Sequence, residues 1–165
     1  LNKRLLSAAG ALVVAASLAV TGVTAASAGS TGSSGTEFLQ VMSTSATSAT
    51  QPVIVRGVFT DYGIDHSGDT VDTLVLQKGS FKVAHSPGTG PQHFNPKTCL
   101  NRINQHGTYR IFHGTGKYRG IHGHGTYHVS LLFIAARTAA GKCSETKPPV
   151  AFQLIITASG PVRLP

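Results

Sequence analysis

The sequence predicts an all-β domain, a small antiparallel closed barrel of about eight strands, preceded by the helix of a signal peptide. Three observations carry this. Past Thr50 the apolar residues recur with period two in several short runs, each bounded by Gly, Pro, Asn, Asp or Ser. No window beyond the N-terminus shows apolar residues at helical spacing with caps. Glycines crowd residues 106–128, HGTYRIFHGTGKYRGIHGHGTYH, as a tightly coiled sheet requires at its corners.

Residues 1–28 have the three parts of a secretory signal: Lys3 and Arg4, an uncharged stretch from Leu5 to about Ala25, and the small-x-small site Ala26-Ser27-Ala28. A mature chain is expected to begin near Gly29, secreted and extracellular, with no membrane anchor after cleavage. The uncharged run of about 20 residues could just span a bilayer, but Ala, Ser, Thr and Gly make it weakly hydrophobic and no basic cluster follows. The site has no lipid-anchor Cys, and the n-region has no Arg-Arg pair. The leading Leu suggests a non-ATG start codon and a bacterial source. Residues 29–36 and 43–50 are dominated by Gly, Ser, Thr and Ala, a composition that buries too little apolar surface to order itself. The expected organisation is a signal at 1–28, a linker at 29–50 with a candidate first strand at 37–43 (EFLQVMS), and a barrel domain at 51–165.

Two of the 14 Lys and Arg residues lie in the signal and all six acids lie beyond it, so the mature chain carries about +6. That balance suits an anionic envelope polymer. The basic residues are scattered, with no run that reads as a nucleic-acid arm. Cys99 and Cys143 are the only cysteines, each in a Pro- or Gly-rich connection, and an oxidising compartment invites a bridge between them. Closing a loop of about 45 residues stabilises by roughly 4 kcal/mol on the chain-entropy account.

The strands are expected at 52–61, 70–79, 80–86 (a hairpin through Lys78-Gly79), 108–113, 125–137 and 150–160. In the later runs Tyr127, Val129, Leu131, Phe133 and Ala135 share one face, as do Val150, Phe152, Leu154 and Ile156. A long loop with three prolines, 86–99, separates the two halves. In the glycine-rich segment HGTY occurs twice, at His106 and His124. Gly116 and Gly120 bracket Lys117-Tyr118-Arg119, where positive φ is expected. GTGKYRG matches no phosphate-binding loop, and no helix follows it.

The stretch GTGKYRGIHGHGTY resembles the G-T-G-x-[YF]-x-G-x-x-G-x-G-x-[YF] signature of the allene oxide cyclase barrel and the dirigent proteins. The chain from GVFTDYGIDH onward also resembles small secreted actinobacterial proteins of unknown function associated with that barrel. The resemblance implies an eight-stranded antiparallel barrel. In the relatives such a barrel closes a ring in an epoxide-derived fatty acid or steers phenoxy radical coupling. It transfers no catalytic residue. The glutamates Glu37 and Glu145 fall in segments read as flexible or looped, so no buried carboxylate of the cyclase type is expected.

Two clusters could carry chemistry. His122, His124 and His128 have even spacing and share a strand face, and with His113 or His106 from a neighbouring strand they are candidate metal ligands. Against this, imidazoles on an exposed face need hold nothing, and Gly123 and Gly125 invite bulges. The second cluster, Asp61, Asp65, His66, Asp69 and Asp72, could hold a cation but matches no EF-hand, and Asp beside Gly and Ser ordinarily builds turns. No G-x-S-x-G elbow supports a hydrolase. No cofactor is expected. The leading expectation is a non-catalytic barrel that binds a small apolar ligand or an envelope component in its mouth. A cyclase or isomerase using the lumen is the first alternative, and a surface interaction module the second. Oligomeric state is left open.

Intact mass of the protein from its host's medium is expected to show a start near Gly29, and a gain of two hydrogens on reduction. A species retaining 1–28, or no gain on reduction, would contradict the corresponding half.

Overall fold

Alternate side chains of a strand point to opposite faces, so a sheet that curls until its edges meet seals one face inside. The structure, a computed structural model, describes residues 32–165; the expected signal at 1–28 lies outside them. The strands are β1 (Ser33–Ser43), β2 (Thr50–Arg56), β3 (Asp61–His66), β4 (Val71–Leu76), β5 (Gly79–His85), β6 (Gln92–Asn95), β7 (Leu100–Phe112), β8 (His122–Ile134) and β9 (Ala151–Leu164). They form one antiparallel sheet in the order β5-β4-β3-β2-β1-β9-β8-β7-β6. Lys82 to His85 of β5 also pair with Phe112 to Tyr109 of β7, which closes eight strands into a barrel. Strand β6 stays outside the closure, on the opposite end of β7.

Two expectations change here. The sheet takes in residues 33–43 as β1, a full stave between β2 and β9, so the barrel begins at Ser33 rather than at residue 51. The Ser and Thr content is deceptive because these residues face outward or lie near the rim, while Glu37, Leu39 and Val41 alternate inward. Strand β3 occupies DYGIDH, which reads from composition as an acidic turn. Its pairing with β2 and β4 makes it as integral as any other stave.

The core lies inside the β1–β5 half of the barrel: Leu39, Val41, Val53, Val55, Leu74, Leu76, Phe81 and Val83, joined by Tyr109, Ile111 and Val162. Phe133 and Phe152 pair across β8 and β9 but are only half-buried, because both strands run on past the closed part of the barrel. Cys99, before β7, and Cys143, in the β8–β9 connection, are bonded with Cα atoms 5.4 Å apart. Arg137 braces the same corner, donating to the carbonyls of Gly141 and Lys97.

One end of the lumen is plugged by the β7–β8 connection. A single 3-10 turn, Gly116–Tyr118, drops the Tyr118 ring under the barrel, where it is 1% exposed. The ring packs tilted on Phe59 at 4.7 Å between centroids and edge-on to Phe81 at 5.5 Å, geometries aromatic pairs favour. The connection is stitched to the β4–β5 hairpin: Lys117 N–H donates to the Lys78 carbonyl and Thr115 N–H to that of Ser80. Gly116 has φ +57 and Gly120 φ +77, and a Cβ on Gly116 would stand 2.5 Å from the Lys78 oxygen.

Gly116→Ala and Gly120→Ala are therefore each expected to lower the melting temperature, with Gly116→Ala the worse because it meets backbone as well as strained φ. Lys117→Ala between them, at an exposed position, is expected to do little. Thermal melts by circular dichroism check all three; neutral glycine variants would contradict the account of the plug.

Candidate functional site in the barrel lumen

With one end plugged, the open half of the lumen forms a cavity of about 310 Å³. Its walls are apolar, with Leu39, Val41, Leu74, Val83, Ile156 and Ala158 among them, and its rim carries Asp69, Asp72, His85 and Gln105. The Tyr127 hydroxyl donates to the Ser86 carbonyl and Ser86 N–H to the Thr108 carbonyl, so the segment after β5 is tied across part of the mouth. Gly107 makes room for this tyrosine, since a Cβ there would lie 2.6 Å from the ring.

Strand β3 supplies the chemistry by an inverted alternation. Tyr62 and Ile64 face outward, 62% and 41% exposed, while Asp61 and Asp65 face inward, 4% and 2% exposed. The two carboxyls meet opposite surroundings. Asp61 sits at the plug, where it accepts hydrogen bonds from the Tyr118 hydroxyl and from the N–H groups of Tyr62 and Lys78. Burial alone would raise its pKa, but these donors and the Lys78 charge outweigh it and hold the carboxyl below its ordinary range. Asp65 faces the cavity, and its Oδ1 has no hydrogen-bond partner among the described residues. Burial first, and the charge of Asp72 second, push its pKa up to about 7. Asp72 Oδ2 lies 3.6 Å from His85 Nε2 on the neighbouring strand.

Glu37 overturns a sequence expectation. It is fully buried on β1, its Oε2 accepting from the Phe59 N–H, and its Oε1 has no partner among the described residues. Burial raises its pKa against the pull of the Phe59 and Val58 N–H groups. The Tyr109 hydroxyl is likewise buried without a partner, and burial followed by the Glu37 charge pushes its pKa up to about 12. Buried polar atoms are ordinarily hydrogen-bonded in native proteins; of these three groups Asp65 and Tyr109 line the cavity, and Glu37 does not.

The histidine candidates are not gathered. His122, His124 and His128 do share a face, but it is the exposed outer face of β8, and His113 stands in the following connection of β7 with φ +52. His106 of β7 is registered opposite His128, also outside. Among the described residues no three His, Cys, Asp or Glu side chains form a set that could hold a metal ion. Sequence reasoning missed β3 because polar-in, apolar-out alternation has the right period with the wrong sign. The even spacing of Asp61, Gly63 and Asp65 against Tyr62, Ile64 and His66 was the available signal. Compared with known proteins, the chain matches no family model, no curated protein and no solved structure.

A carboxyl whose folded pKa is raised favours the fold while neutral and costs stability once ionised. For Asp65 the cost therefore grows between its ordinary value of 3.8 and about 7, and is constant above. Asp65→Asn removes it. The variant is expected to melt several degrees above the parent at pH 8, with the gap shrinking as pH falls toward 4. Melting curves across that range check this, and a variant less stable at pH 8 would contradict it.

Proposed function

We propose that this protein is a secreted binding protein that holds one small, largely apolar ligand in the open half of its barrel. The observation that carries the reading is the cavity itself: apolar walls with the unpartnered polar atoms of Asp65 and Tyr109 on its lining residues, at the small end of the size range of ligand sites. Support for an extracellular setting comes from the bonded Cys99–Cys143 pair and the expected signal. The resemblance of GTGKYRGIHGHGTY to the cyclase and dirigent barrels supports use of the lumen rather than the outer face. A purely structural module has less support, since only one end of the lumen is filled.

A second reading is favoured by Asp65 alone. A carboxyl that titrates near neutrality beside an apolar cavity is suited to general acid–base work, and an isomerase or cyclase would use it on a ligand held in the same place. Both readings share the cavity, and the binding experiment comes first.

The uncharged fluorophore N-phenyl-1-naphthylamine is expected to brighten on entering the lumen and to saturate at one equivalent. Val83→Trp, which fills the cavity from β5, is expected to abolish the signal while the far-ultraviolet spectrum is kept. No saturable signal, or an undiminished one in the filled variant, would overturn the reading.

A further inference from the structure

The charge on this chain is sorted by position. It has 14 Lys and Arg against six acids, yet no Lys or Arg lines the mouth cavity, whereas Asp65, Asp69 and Asp72 all do. His85 is the one basic side chain among its lining residues, and it lies toward Asp72 rather than Asp65. Asp65 is 2% exposed, carries an unpartnered Oδ1, and stands against Leu74, Val83 and other apolar walls. A buried carboxyl without a counter-charge is strongly unfavourable in its ionised form. The group that best complements Asp65 is therefore a hydrogen-bond donor that also carries positive charge.

We propose that the ligand is a small organic amine, its apolar body in the lumen and its ammonium group on Asp65 at the mouth. This rests on the cavity being a binding site. An ammonium group brings three donors and one positive charge, which satisfies Asp65 Oδ1 and relieves its repulsion with Asp72. The apolar walls select an organic cation over a bare metal ion, in keeping with the absence of a metal-holding cluster among the described residues. An anionic ligand would meet three carboxylates with no basic partner but His85.

The groups facing Asp65 set the pH dependence. Its β2 neighbour in register is Gln51, which is uncharged, and Leu74 stands opposite on β4. Asp72 follows on β4, Asp69 precedes it in the connection, and His85 and Tyr109 face the cavity from β5 and β7. Binding an ammonium ion requires ionised Asp65, which the free protein holds only above about pH 7. Affinity for an amine should fall about tenfold per pH unit below that point. Asp65→Asn removes this dependence.

The test compares phenethylamine, 2-phenylethanol and phenylacetate by calorimetry on the full mature protein at pH 5.5, 6.5 and 8. The amine is expected to bind best at pH 8, at least tenfold tighter than the alcohol, with phenylacetate weakest. Asp65→Asn is expected to lose at least tenfold on the amine, change little on the alcohol, and flatten the pH profile. Equal or better binding of the alcohol or the acid, an unchanged amine affinity in Asp65→Asn, or displacement of the amine by millimolar calcium would overturn the proposal. Those outcomes leave the neutral fluorophore result intact, whereas failure of the fluorophore and of all three phenyl compounds would overturn the cavity reading with it.

Discussion

The Tyr118 ring decides which half of this barrel is packed and which half is open. Eight staves enclose a lumen about as wide as the side chains that line it, so one extra aromatic ring can finish a core. Here the ring comes from the connection between β7 and β8, not from a strand, and Phe59 and Phe81 receive it. Its hydroxyl, buried with the ring, needs an acceptor, and Asp61 supplies one. That pairing keeps an ionised carboxylate tolerable at the packed end and leaves the cavity to the other. The glycines around the turn follow from the same requirement, since the connection must fold flat against the β4–β5 hairpin to deliver the ring.

Fold class was legible because period-two patterning survives in β2, β4, β5, β8 and β9, where one face is apolar and the other is not. The conformational demand at Gly116 and Gly120 was legible as well, since so dense a run of glycines is costly unless the backbone needs them. The site was hidden for the opposite reason. Asp61, Asp65 and Glu37 are buried, and composition assigns acids to surfaces and turns. Burial of a carboxyl depends on the strands that β3 and β1 pair with, and pairing is non-local. The histidines misled in the reverse direction: their spacing did place His122, His124 and His128 on one face, but the sign of that face, outward, is fixed by β8 packing Tyr127 and Val129 inward.

Asp61 and Asp65 show how little of a residue's chemistry lies in its identity. They are two turns of the pleat apart on one strand, both almost fully buried, and their pKa values move in opposite directions. Donors surround one and apolar walls surround the other. Natural proteins commonly give up stability at functional sites, and the cavity end of this barrel has that character while the plugged end does not.

The first and last strands of the barrel are partners. Ser33 of β1 is in register with Leu164 of β9 and the ladder runs unbroken to Ser43 and Leu154, so this seam joins the first and last of the described strands. Until the 14 residues of β9 have been synthesised, β1 and β8 both present bare edges and the lumen has no complete wall. Contacts of such long sequence separation form late and slowly. While β9 is being made the nascent barrel therefore stays open, with edge strands exposed to aggregation, and it closes like a clasp only when β9 docks between β1 and β8.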